Sequence, residues 1–539
     1  MPAHRPPALA VWPPLRRAAI ALAIVAAAAC ATRTTSNEGR APALDRGFGV
    51  STLSVTTVSS EARRLFDQGV LQAYAFNERE AVRAFKAALA VDPACALCAW
   101  GVAWQLGPNI NAPRRGWLGE ARRHAALAQS LAAGATAAER ALIDAMALRY
   151  GADEPDASTP ATDDVRGGAE SLCGPANGER AHPRDIAYAQ RLHELVQAEP
   201  TDPDLLSLWA EAELVATRDD WWDRASGRPA GRLGELASRL EAGLAAHAQH
   251  TGLNHYLIHV LDGSPEPARA NAAAQRLPQL APASPHLLHM PAHILARTGR
   301  LGDAVRANQA ALDAEQRLAA ALRSQGFSRS RDWDDHNLHF LWFAALADGQ
   351  GEVALDAARR LAARAGRMNG RWGDYVRGLP ALTLVRLERS AEVIALPPPI
   401  APSPLADGID AQARGVALAR SGRIDEAAQQ GQRFAAALAA ASGDDVLALM
   451  RPLDARLRAE LAAANGDAVA AAAAFADAAA LDAQLDRREP PPLGAAGRLA
   501  LASWQLRSGD RAGAAQTYRD DLAAWPGNAD ALRGLAAAR

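Results

Sequence analysis

Two histidine pairs constrain this chain more than any other feature: His255 and His259 recur as His289 and His293, each shifted by 34 residues. A fixed offset of that size is the period of a helix-turn-helix unit. One such unit cannot bury its apolar face alone, so copies stack into a solenoid. A third copy follows at an offset of fifty, where His286 and His289 return as His336 and His339. Of 13 histidines in 539 residues, seven therefore fall between 255 and 339, in the segments HYLIH, HLLHMPAH and HNLH. Chance placement would scatter them along the chain.

Composition agrees with helices. Hydrophobic residues make up 49% of the chain, much of it alanine, while aromatics reach only 5%. Alanine has the highest helix propensity, and β-branched runs are scarce, so the expected fold class is all-α. Helix-pair framing recurs along the sequence. Leu65, Gly69, Ala81, Phe85, Ala88 and the closing Asp92-Pro93 form one unit, with small residues where two helices meet and a proline to end the second. Gly299 with Ala304 and Ala311, Gly349 with Ala354, Gly422 with Ala427, Gly466 with Ala471 and Phe475, and Gly509 with Ala514 and Tyr518 mark later ones.

Two breaks divide the array. Residues 151–184 are rich in Gly, Pro and Asp and predict a loop insertion, and residues 397–405, opening with PPPIAPSP, predict a stiff linker. Repeats are expected over 61–150, 185–396 and 406–539, the middle set bearing the histidines.

The N-terminus reads as an export signal over residues 1–30. Arg16 and Arg17 precede the apolar run AAIALAIVAAAA, too short for a permanent membrane span, which ends at Cys30. Ala27-Ala28-Ala29-Cys30 looks like a lipobox, so lipidation of Cys30 is the expectation, with a plain secretory signal as the alternative. Residues 31–60 are polar and predict a flexible tether. The protein is then exported and held at a membrane surface through its lipid alone, facing the periplasm or cell surface. Net charge is −2 with no basic run, so nucleic acid is not an expected partner. In an oxidising compartment Cys95 and Cys98 of the CALC segment could form a local disulfide or redox pair; equally, they could sit as small apolar residues where repeat packing takes alanine.

Segments such as AYAFNEREAVRAFKAAL, NHYLIHVLD, PHLLHMPAHILARTGR, HNLHFLWFAALADG and WPGNADALRGLA resemble a family of exported bacterial tetratricopeptide-repeat (TPR) proteins across nearly the whole mature chain. The resemblance implies a TPR-like α-solenoid and an exported setting, and no particular activity. It also implies that positions 2, 5, 9, 12 and 13 of each first helix line a concave groove. His255 and His289 then stand at position 5, His259 and His293 at position 9, His286 and His336 at position 2, His339 at position 5, Asp262 at position 12 and Arg297 at position 13.

At 100° per residue, His286, His289 and His293 span an arc of about 60° and share one helix face. Helices packed roughly 8–10 Å apart let imidazoles from adjacent units reach one ion. His255, His259, His286, His289, His293, His336 and His339, with Asp262, are thus candidate ligands for a transition metal (Cu, Zn, Fe or Ni), since neutral imidazole suits all four and no thiolate lies near. A groove for a protein or small ligand, or a structural polar network, are the other readings. Pro291 within HMPAH removes a helix hydrogen bond after Leu287 and should kink its helix, freeing a backbone carbonyl towards the groove. Asp332, Asp334 and Asp335 precede HNLH and are read as serving the helix dipole; Trp221 and Trp222 are read as capping the repeat core. His124, His182, His193, His247 and His250 are expected to be ordinary polar residues. No HExxH, GxSxG, phosphate-binding or haem-attachment motif is present. The leading expectation is a membrane-anchored TPR protein acting as a binding or assembly factor, and the alternative a metal-dependent oxidoreductase or hydrolase using the same histidines.

Overall fold

The computed structural model describes residues 40–44, 46–110, 118–150, 181–217, 221–223, 226–328, 332–366, 368 and 370–539. Cys30 and its signal, Cys173, most of the expected 151–184 insertion and the side chain of Asp332 lie outside the described residues.

The chain is an all-helical, TPR-like solenoid. Its first part comprises α1 (Ser60–Tyr74), α2 (Glu78–Val91), α3 (Ala96–Gln105), α4 (Leu118–Leu131), α5 (Ala137–Arg149), α6 (Pro183–Ala198), α7 (Pro203–Ala216) and α8 (Leu233–Ala246). The histidine-bearing middle follows with α9 (Thr251–Asp262), α10 (Asn271–Leu280), α11 (Pro285–His289), α12 (Pro291–Arg297), α13 (Leu301–Ser324), α14 (Asp332–Ala347), α15 (Gly351–Ala365), α16 (Arg371–Arg386) and α17 (Ser390–Ala395). Last come α18 (Pro404–Arg420), α19 (Ile424–Ala440), α20 (Asp444–Ala464), α21 (Ala468–Ala483), α22 (Ala496–Arg507), α23 (Arg511–Ala524) and α24 (Ala529–Ala538). Among the described residues there is no strand, only one isolated bridge between Trp222 and Pro229.

Most helices pack on the next in sequence. Several also pack on the next but one, as α1 does on α3 and α18 on α20, which is how a solenoid shares its core between neighbours. The glycine framing has a steric cause. A Cβ at Gly69 or at Gly101 would lie 2.6 Å from the Phe85 ring, so both glycines exist to admit that one buried aromatic. Gly299, Gly349, Gly422, Gly466 and Gly509 end first helices with φ of 78°, 79°, 74°, 77° and 90°, the left-handed conformation that glycine adopts without a Cβ penalty.

Two details position the site. Proline at 291 breaks what would be one helix into α11 and α12, because it lacks the N–H that would continue the ladder. Residues 46–59, the described end of the expected tether, are instead laid along the repeats: Gly47 O accepts from Ala283 N at 2.9 Å, Val50 O from Thr251 N at 3.0 Å, and Glu139 Oε1 from Thr56 N at 2.6 Å. Cys95 and Cys98 are joined by a disulfide at the start of α3, with both residues fully buried.

Candidate metal centre

Six of the seven clustered imidazoles turn their Nε2 atoms inward as two trios. In the first, His255 Nε2 lies 3.0 Å from His259 Nε2 and 3.1 Å from His286 Nε2. In the second, His289 Nε2 lies 2.9 Å from His293 Nε2 and 2.9 Å from His336 Nε2. Position 5 of each unit is the hub, position 9 one helical turn later is its i,i+4 partner, and position 2 of the following unit supplies the third nitrogen. The trios adjoin: the His286 and His289 ring centres are 6.1 Å apart and those of His259 and His293 6.3 Å.

Hydrogen-bond chemistry decides what the hubs hold. His255 Nδ1 lies 2.8 Å from the Tyr74 carbonyl oxygen, which only accepts, so Nδ1 carries the proton and donates. His289 Nδ1 lies 2.7 Å from Asn308 Oδ1, and the Asn308 amide nitrogen donates to Ala304 O at 2.8 Å, so this oxygen also accepts. Each hub Nε2 is therefore bare, with a single in-plane lone pair facing two other ring nitrogens. One lone pair cannot satisfy both by hydrogen bonding. A cation bonded to three nitrogens at 2.0–2.1 Å in tetrahedral geometry would set them roughly 3.3 Å apart, close to the spacing seen.

Burial keeps most of these rings neutral, the form that binds metal. It holds His255 near a pKa of about 3 and drives His259, His286, His289 and His336 well below the usual imidazole value, with charge on neighbouring imidazoles adding to the effect. His293 differs. Burial opposes its charge too, but Asp262 and Glu489 overcome that and raise its pKa to about 10. Its Nδ1 lies 3.1 Å from Asp262 Oδ2 and 3.1 Å from Glu489 Oε2.

Aromatic rings close the centre. Phe76 stacks on His286 with ring centres 4.9 Å apart and on His259 at 5.6 Å; Phe340 sits 4.8 Å from His293 and 5.2 Å from His289. His259 and His336 are only partly buried and form the open edge.

Asp262, expected among the ligands, stands behind His293 and is shared with Arg297. It also belongs to a third potential ligand group with His293 and Glu489. His339 does not join either trio: its Nε2 lies 2.7 Å from Tyr375 OH, and its ring stacks on Trp342. The remaining described histidines are elsewhere. His124 Nδ1 pairs with Glu120 O, His193 with Glu235, and His182 and His250 cap α6 and α9. Trp222 is buried and donates to Val260 O, while Asp335 pairs with Arg364. Sequence reasoning missed Tyr74, Phe76, Asn308 and Glu489. Asn308 alone carried a signal, an asparagine on the buried face of α13.

No protein-family model matches this chain, and no curated protein matches it either. Among solved structures it is similar to yeast Tom70 (12% identity, 88% of this chain and 94% of that one, TM-score 0.31) and to the P58(IPK) TPR domain (11%, 89% and 97%, TM-score 0.21). It is also similar to a chain of the Naa15/Naa10 complex bound to HypK-THB (13%, 85% and 62%, TM-score 0.22). Overlaps this loose add nothing to the repeat fold read from the helices themselves.

Proposed function

We propose that this protein binds two late-transition-metal ions side by side, each through three imidazoles, and that the pair is copper. The observation that carries the reading is the bare Nε2 of His255 and of His289, each facing two further ring nitrogens at about 3 Å. Six imidazole nitrogens with no thiolate suit copper or zinc over magnesium, calcium or manganese, and among divalent ions copper binds such donors most tightly. Asp262 and Glu489, both on His293, bring at most two negative charges to the centre, so two divalent ions would still leave a buried positive charge. Monovalent copper minimises it, which favours copper over zinc.

Three protein ligands leave a position open on each ion, the pattern of reactive centres, whereas closed structural sites use four. A metal-dependent oxidoreductase therefore ranks above a purely structural site. The Cys95–Cys98 disulfide supports the exported compartment that the leader and Cys30 suggest, where such pairs persist. A binding or assembly role for the groove, towards a protein or small ligand, is the second reading; the helical-repeat architecture favours it, because stacked units present extended concave surfaces.

Elemental analysis of protein purified under copper-replete conditions tests this. Two copper ions per chain are expected. His259→Ala and His336→Ala each remove one ligand from a different trio at its partly exposed edge, so each should lower the count to one, and the double variant should approach none with helicity retained. Full occupancy in the double variant would end the two-trio reading. Two zinc ions in place of copper would keep the centre and turn the chemistry towards hydrolysis.

A further inference from the structure

A second site lies among the C-terminal repeats. A cavity of about 490 Å³, open on one side, is lined by α14, α15, α16, α18, α20, α21, α22, α23 and α24. Its walls divide by chemistry. Trp342, Leu346, Leu382, Leu453 and Leu499 supply an apolar side. Five arginines reach the other: Arg386, Arg420, Arg456, Arg507 and Arg533.

The acids at hand, Glu388, Glu460, Asp482 and Asp530, are four against five. Arg420 and Arg456 converge on a single oxygen, Glu460 Oε1, at 2.9 Å each. Burial outweighs Glu460 and, with Arg420 and Arg507 alongside, pushes the Arg456 guanidinium below its ordinary value. Asp530 serves both Arg386 and Arg533. Asp482 is raised to about 7 by burial and by neighbouring Asp486, so near neutral pH it is only partly ionised.

Three buried polar atoms in this wall have no hydrogen-bond partner: Arg386 Nη2, Gln412 Oε1 and Asp482 Oδ1. Gln412 is 2% exposed and Asp482 5%. A buried polar atom left so keeps its desolvation cost without recompense. An acceptor would answer Arg386, and a donor would answer Gln412. Volume, an apolar wall and a few convergent polar groups are the features of a small-molecule site.

We propose that this cavity binds an amphipathic organic carboxylate, its acid group against Arg386 and Arg456 and its apolar body against Trp342 and Leu453. The site is independent of the metal centre, although α14 carries His336 and Phe340 towards one and Trp342 and Leu346 towards the other.

Calorimetric titration of the full chain, stripped of metal by a chelator, tests the proposal with octanoate, octanol and inorganic phosphate as probes. Octanoate should bind saturably at one site, octanol and phosphate at least tenfold more weakly. Arg386→Gln and Arg456→Gln should each weaken octanoate tenfold or more. Ser503→Trp, at the rim, fills the cavity without removing an arginine and should abolish binding while the far-UV spectrum and unfolding midpoint hold, which separates occlusion from misfolding. No saturable octanoate binding, binding unchanged in Ser503→Trp, or equal binding of phosphate would each overturn it.

Discussion

His293 Nδ1 stands 3.1 Å from Asp262 Oδ2, while the Nε2 of the same ring points 2.9 Å away at His289. The two contacts lie at opposite ends of one imidazole, so the carboxylate on Nδ1 fixes Nε2 as the nitrogen that faces the centre and raises the basicity of Nε2. Carboxylate partners behind ligating histidines tune affinity in this way.

Asp262→Asn should therefore weaken the ion on the second trio about 10–100-fold, the usual effect of losing such a partner, and leave the ion on the first trio unchanged. Competition with a calibrated chelator reads the two sites as separate steps. Equal weakening of both, or of neither, would remove Asp262 from that role.

Gly69→Ala tests the packing that sets the repeat. The added Cβ would meet the Phe85 ring at 2.6 Å, in a helix pair with no slack, and overpacking of this kind costs about 1–3 kcal/mol. A lower midpoint in denaturant, with metal stoichiometry intact, is expected. An unchanged midpoint would mean that the ring moves aside freely.

Much of this arrangement was legible in the sequence. The 34-residue offset puts His255 and His289 on equivalent turns of successive units, and the shared helical face follows from their spacing. The division into two trios was within reach too. Each trio needs a position 5 histidine, a position 9 histidine and a position 2 histidine from the next unit. The third unit has Phe343 at position 9, so His339 had no partner and was free to meet Tyr375. The supports were not legible. Tyr74 contributes a backbone carbonyl, which any residue type carries, and Glu489 arrives from 196 positions beyond His293 by the course of the solenoid. Local pattern holds no trace of either.

We propose that membrane attachment runs through Cys30, as the lipobox-like Ala27-Ala28-Ala29-Cys30 suggests. If the cysteine carries lipid, Cys30→Ala should move the protein from the membrane pellet to the soluble fraction, since the remaining anchor would be gone. Retention in the pellet would favour another mode of attachment.

Asp204 joins the N-terminal strap to the repeats, and its acid-base behaviour gives the last prediction. It accepts from Ser51 Oγ at 3.0 Å, Thr52 N at 3.0 Å, Tyr74 OH at 2.7 Å and His250 Nε2 at 2.9 Å, with Asp202 close by on the same turn. Burial alone would raise its pKa, but the hydrogen bond and charge of His250 and the bonds from Thr52 and Tyr74 outweigh that and leave it below the ordinary carboxylate value. A carboxylate lowered by folding stabilises the folded state above its unfolded pKa, near 3.9, and the contribution disappears as pH falls through the depressed folded value. Asp204→Asn should cost about 1–3 kcal/mol at neutral pH, because the donors lose a charged acceptor. The gap in unfolding midpoint between the native chain and Asp204→Asn should be widest at pH 6–7 and close as pH drops below about 4. Other carboxylates titrate equally in both proteins and cancel in the difference. A gap that stays constant to low pH would show that Asp204 acts through shape alone, with its charge contributing nothing to holding the strap.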